Sequence, residues 1–136
     1  MKQLLLYAML DSRFSAPSHV QHKIAKDFAE RKGYAIGSYG AEDPDFIEGS
    51  PSLNEKLGQL ENNYTGIIFY SAFQIQGNII QLISNCLDRS LIVAFAAQEI
   101  LIKSWQEMES FKPLFLASTY SDRNRRIAKK LRKSIA

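Results

Sequence analysis

The sequence predicts an α/β domain: three layers, with a mainly parallel sheet of four to five strands and helices on both faces. Three observations predict it. Apolar runs suited to buried strands, at residues 4–10, 65–70 and 91–96, alternate with stretches whose apolar residues recur at helical spacing. The connections are short, so successive strands should lie parallel, joined by right-handed crossovers. With 136 residues, 46% hydrophobic and 23% charged, the chain suits one ordinary domain spanning residues 1–136, whose core needs no disulfide or metal.

The elements follow in order. Residues 4–10 form a continuous apolar run, as a strand buried on both faces requires. Asp11 and Arg13 interrupt it, and no small-residue cleavage site follows, so it reads as a first core strand rather than a signal peptide. Ser15, Ala16 and Pro17 open a helix, with a hydroxyl near the cap and a proline in the first turn. Val20, Ile24 and Phe28 form its apolar stripe, with Ala25 and Ala29 beside it, and Gly33 is a natural terminator. Residues 34–39 read as a second strand near an edge. Residues 40–49 form an acidic loop. Ser52 and Glu55 suggest a capping box for a helix with Leu53, Leu57 and Leu60 on its apolar face, ended by Asn62 and Asn63.

Residues 65–70 are the clearest buried strand. A helix over 76–87 turns Ile79, Ile80, Ile83 and Leu87 inward. Asp88, Arg89 and Ser90 lead into a fourth strand over 91–96. Ser104 and Glu107 repeat the capping-box pattern. Pro113 either kinks a long helix or precedes a fifth strand over 114–117. The helix is favoured because Leu116, Tyr120, Ile127, Leu131 and Ile135 lie near one helical face.

Charge is uneven. Residues 121–136 hold seven basic residues and one acid, Asp122, which gives +6; the whole chain carries +3, so the remainder carries −3. Arg123, Arg125, Arg126, Lys129 and Lys130 in this segment could meet phosphate backbones or an anionic surface. No aromatic residues interleave them to stack bases, so a solvated helix face is the simpler expectation. No apolar run approaches the ~18 residues of a membrane span. Cys86 is the single cysteine, which excludes an internal disulfide and fits a cytoplasmic protein.

In an open α/β sheet, ligands bind beyond the C-terminal ends of the strands. Asp11, Ser12 and Arg13 follow the first strand and lead to His19. Ser71 and Gln74 follow the third, and Gln98 and Glu99 the fourth. His19, near a helix N-terminus, should favour its neutral form and can serve as a base. Gln74 and Gln98 can orient hydroxyls but cannot move protons. Glu99 is the stronger acid–base group, His22 is expected at the surface and Cys86 in the core. Motifs for dinucleotides, phosphate loops, hydrolase elbows, zinc and calcium are absent. No metal and no cofactor are therefore expected.

Three stretches carry a family resemblance. Pro17-Ser18-His19-Val20-Gln21, residues 65–74 (TGIIFYSAFQ) and residues 94–102 (AFAAQEILI) follow one another at fixed spacing. They resemble the P-x-H-V-Q, G-I-V-x-Y-S-x-F-Q and F-A-x-E-x-L segments of the sporadic carbohydrate cluster proteins. These are small bacterial proteins whose genes lie among those for surface-polysaccharide synthesis. Ile75 stands where that family has proline, and the basic tail looks like an extension.

A more distant resemblance is to the catalytic domain of serine recombinases. Leu6-Tyr7-Ala8-Met9-Leu10-Asp11 sits where that family has Y-A-R-V-S, and Arg125-Arg126-Ile127 matches a step in its long C-terminal helix. The resemblance places the nucleophilic serine on Asp11 and the preceding arginine on Met9. The family's arginine-bearing run falls on residues 72–78, which hold no arginine. Without a hydroxyl nucleophile and cations, phosphoryl transfer to a serine has no means. What the resemblance implies is a resolvase-like fold with a long basic C-terminal helix, without recombinase activity. In that fold the long helix often pairs subunits, which implies a homodimer.

The expected function is therefore a part in bacterial surface-carbohydrate biosynthesis, binding or processing a sugar or sugar phosphate at the C-terminal rim of the sheet. If it is an enzyme, Glu99 or His19 would be its acid–base group, with Asp11, Ser12, Arg13, Gln21, Ser71 and Gln74 binding the ligand. Two alternatives remain: a non-catalytic nucleic-acid-binding protein acting through the basic tail, and an interaction module of a glycan assembly complex.

Overall fold

Five strands form one sheet in the order β2-β1-β3-β4-β5 in a computed structural model that describes residues 3–8, 17–40, 58, 62–75 and 78–135. The chain runs β1 (Gln3–Ala8), α1 (Ser18–Arg31), β2 (Tyr34–Gly40), β3 (Gly66–Phe69), a 3-10 turn (Ala72–Gln74), α2 (Ile79–Asp88), β4 (Ile92–Phe95), β5 (Ile100–Ile102), α3 (Trp105–Ser110) and α4 (Lys112–Ile135). The first four strands are mutually parallel, as expected for strands joined through helices, and β5 returns antiparallel to β4. Among the described residues no helix is long and apolar enough to cross a membrane.

Side-chain alternation along the strands divides the core in two. Leu5, Tyr7, Ile68, Ile92 and Ala94 face α1 and pack with Ala25, Phe28 and Ala29. Ile67, Phe69, Val93 and Phe95 face the other way, onto α2, α3 and α4 through Ile79, Leu82, Ile83, Cys86, Met108 and Phe115. On that side Phe69 stacks on Phe95 at 5.6 Å between ring centroids, and Phe95 meets Phe115 at 5.8 Å. Helices thus cover both faces, and all four residues of β3 and of β4 are buried.

Several local expectations change. Helix α1 begins at Ser18, with Pro17 as its cap; the Pro17 carbonyl accepts from the Val20 and Gln21 amides, and no side chain caps the helix. Its buried stripe starts at Gln21 rather than Val20, which is exposed. Gly33 ends the helix at φ +86°, a conformation glycine adopts without a Cβ clash. Helix α2 starts later than its pattern suggests because Asn78 caps it, its side chain accepting from the Gln81 amide. Leu82 and Cys86, with Ile79 and Ile83, form its fully buried face, while Ile80 and Leu87 are partly buried.

The fifth strand is not at 114–117. Those residues are helical, and Pro113 sits in the first turn of α4, where a missing amide costs nothing. The strand is instead Ile100–Ile102, reached by a turn over 96–99. Of the loop expected at 40–49, Gly40 is the last residue of β2 and the rest lies outside the described residues, as does the Leu53, Leu57 and Leu60 face; Asn62 donates to the Gly58 carbonyl at 3.3 Å. Ser104 does accept from the Glu107 amide at 3.2 Å, and the Glu107 carboxylate reaches back to the Lys103 amide at 3.1 Å.

Gly66 opens β3 between Leu5 and Ile92. A Cβ there would strike the Ile92 carbonyl oxygen and lie 2.9 Å from its carbonyl carbon, which is backbone in the centre of the sheet. Gly66→Ala is therefore expected to cost about 1–3 kcal/mol. Urea denaturation of the variant against the wild-type chain checks this through a lower midpoint at an unchanged slope.

Candidate functional site

The exit of β3 is where four elements meet. The parallel register sets β3 and β4 level, Phe69 opposite Phe95, so the segments after both strands emerge side by side. The ladder continues past the strands: the Ala96 amide donates to the Phe69 carbonyl at 3.0 Å, and the Ala97 amide to Tyr70 at 2.7 Å. Beyond that, side chains take over. The Ser71 hydroxyl caps the 3-10 turn, accepting from the Phe73 amide at 3.1 Å, and the Gln74 Oε1 accepts from the Ser71 amide at 3.3 Å. This reciprocal pair is a capping box on a single turn.

Distant residues complete the arrangement. Gln98, in the β4–β5 turn, donates through Nε2 to the Ser71 hydroxyl at 3.0 Å and accepts through Oε1 from the Ala72 amide at 3.0 Å. Gln74 Nε2 donates to Gln21 Oε1 on α1 at 3.0 Å. From the opposite layer, the Ser118 hydroxyl of α4 donates to the Ala72 carbonyl at 2.7 Å. Gln21, Ser71, Gln74 and Ser118 are all buried. Buried amides and hydroxyls cost free energy unless paired, and these are paired with one another and with the backbone.

Aromatic groups stand beside this frame. Tyr7 is buried, its ring 5.7 Å from that of His22, and Tyr70 is half-buried. Burial pushes the Tyr7 phenol up to about 12, and the neighbouring Tyr70 adds to the rise. His22 is thus half-buried against Tyr7 rather than at the surface, because the buried stripe of α1 begins at Gln21 and turns its neighbour toward the sheet. His19, one turn earlier, is exposed.

Of the residues singled out by sequence, the fold brings Gln21, Ser71 and Gln74 into direct contact. It does not bring His19 and Glu99 together. The Glu99 carboxylate lies 3.0 Å from the Arg31 guanidinium, and both side chains are largely exposed. Arg31 ends α1 whereas His19 begins it; twelve residues of helix separate them, about 18 Å along the axis. Glu99 also occupies a left-handed conformation, φ 54°, as the last residue of the β4–β5 turn. Glu99 is a turn residue whose carboxylate is tied to the end of α1. Asp11, Ser12 and Arg13 lie outside the described residues.

Arg123 and Lys130 are exposed on α4; nothing is described of the side chains of Arg125, Arg126 and Lys129. Cys86 is fully buried in the core, and burial pushes its thiol up to about 12, the neighbouring Arg89 pulling slightly the other way. Among the described residues, no group of three or more His, Cys, Asp or Glu could hold a metal ion. Sequence reasoning missed Ser118, whose signal was a small hydroxyl on the same helical face as Leu114, and Gln98 as the partner of Ser71. Comparisons with protein-family models, with curated proteins and with solved structures find no match for this chain.

The Tyr7 environment sets a pH dependence. The folded protein holds the phenol proton more tightly than the unfolded chain, whose value is 10.0. The stabilisation is complete below pH 10.0 and is lost as pH rises toward about 12. Chemical denaturation across that range should show falling stability in the wild-type chain and a shallower fall in Tyr7→Phe.

Proposed function

We propose that the C-terminal edge of this sheet binds a hydroxyl-rich small molecule, a sugar or sugar phosphate, and that the protein serves surface-carbohydrate biosynthesis. The observation that carries the proposal is the buried frame at the β3 exit. Both lone pairs of the Ser71 hydroxyl are taken, by the Phe73 amide and Gln98, so toward a ligand it can act only as a donor. Gln74 and Gln98 each use both ends of their amides within the frame. They hold the rim in shape; among the described residues, the half-buried Tyr70 follows β3 directly and the exposed His19 lies two residues before Gln21 on α1, and we take these as groups that meet the ligand.

Among the described residues the rim offers hydroxyl, phenol and imidazole groups, which suit a polyol or one carrying a phosphate. The resemblance of Pro17–Gln21, residues 65–74 and residues 94–102 to the carbohydrate-cluster family supports the biosynthetic context, since the first two stretches supply His19, Gln21, Tyr70, Ser71 and Gln74. We read the frame as resolvase-like, with α4 as its long basic helix. The strand–helix alternation ending in a long helix supports that reading.

A thermal-shift panel of free sugars, sugar phosphates and nucleotide-sugars tests the proposal. A ligand at ~100 times its Kd adds about 2.7 kcal/mol, several degrees in a domain of this size. The expected result is a shift with at least one sugar compound that shrinks in Tyr70→Phe and His19→Ala but survives Glu99→Gln. No shift across the panel, or a shift indifferent to Tyr70→Phe and His19→Ala, would remove the rim as the site.

A further inference from the structure

We infer that α4 is a membrane-surface helix, which lays its outer face on an anionic lipid bilayer. The inference does not rest on the sugar-binding reading. The 24 residues of α4 extend for about 36 Å. Only one face of its first half is committed to the core: Phe115 and Ser118 are buried and Leu114 half-buried. On the opposite face, Leu116, Tyr120, Ile127 and Leu131 are 42%, 59%, 48% and 56% exposed. Their spacing of four, seven and four residues places them on one narrow arc of a 3.6-residue helix. Ala117, Asn124 and Ala128 widen that arc on one side and lead to Arg132. Lys112, Arg123 and Lys130, all exposed, follow its other side.

An apolar arc between cationic borders is the pattern of a helix lying in a lipid interface. The apolar side chains enter the acyl boundary, the lysines and arginines reach the headgroup phosphates, and a tyrosine suits the level between them. Charge complementarity selects this occupant. A nucleic acid would satisfy the cations but leave the apolar arc against water or a sugar–phosphate chain. A second copy aligned in parallel would bring two basic segments side by side. The geometry permits the membrane: the arc points away from the face that packs on α2 and the 3-10 turn, so the sheet does not obstruct a flat surface.

Co-sedimentation of the full chain with lipid vesicles tests the inference. One set holds equal parts of phosphatidylglycerol and phosphatidylcholine, the other phosphatidylcholine alone. The chain is expected to pellet with the anionic vesicles and not with the neutral ones. Tyr120→Glu with Ile127→Glu should weaken this about tenfold or more, and Arg123→Glu with Lys130→Glu at least as much, since each cation near the surface is worth about fivefold. Both pairs alter exposed positions, and circular dichroism confirms that they fold. Three results would overturn the inference: absence of anionic-vesicle binding in the wild-type chain; binding that ignores Tyr120→Glu with Ile127→Glu, including salt-sensitive binding to duplex DNA in place of vesicles; or a dimer that these substitutions dissociate while neither form pellets, which would assign the arc to a second copy.

Discussion

Strand β3 has neighbours on both edges and helices over both faces, so its backbone cannot turn to water when the strand ends. An unpaired buried amide costs about 1–3 kcal/mol, and a four-residue strand offers little packing to offset several of them. The protein meets this constraint with side chains drawn from elsewhere in the chain. The β4–β5 turn supplies Gln98, α1 supplies Gln21, α4 supplies Ser118, and the segment itself supplies Ser71 and Gln74. The two helical layers and the turn at the sheet end are fixed to one another because each holds part of the same short stretch.

That constraint divides the polar residues of the rim by what they can do. Gln74, Gln98 and the acceptor side of Ser71 are consumed in holding the chain. On the proposed reading, a ligand at the rim would meet Tyr70 and His19 rather than these. The same division explains why Glu99, beside Gln98 in sequence, has a different fate: the turn aims Gln98 at the β3 exit and leaves the Glu99 carboxylate on Arg31. The surface of α4 is separate. Its inner face is committed through Phe115 and Ser118, and its outer arc leaves Leu116, Tyr120, Ile127 and Leu131 exposed.

Much of the sheet was legible in the residues. Three apolar runs separated by helical periodicity marked β1, β3 and β4, and the edge position of β2 followed from its weaker pattern. The polar set at the strand ends was visible as types but not as contacts: that Gln98 meets Ser71 depends on the level register of β3 and β4, which sequence alone does not display. Strand β5 was hidden because its turn, Ala96 to Glu99, contains no glycine, proline or asparagine, and its left-handed position is filled by a glutamate. The start of α1 was misplaced because Ser15 resembles a cap, whereas a proline carbonyl receives the first amides. The apolar face of α4 was readable as a stripe, but periodicity does not say whether a stripe faces core or solvent.

Amide hydrogen exchange at the β3 exit tests the central claim most directly. If Gln98 and Gln74 hold this segment, the Ser71 and Ala72 amides should exchange as slowly as those inside α2, and Gln98→Ala should release the Ala72 amide while α2 stays protected. Exchange at Ala72 as fast as at an exposed turn, or protection unaltered by Gln98→Ala, would contradict the account.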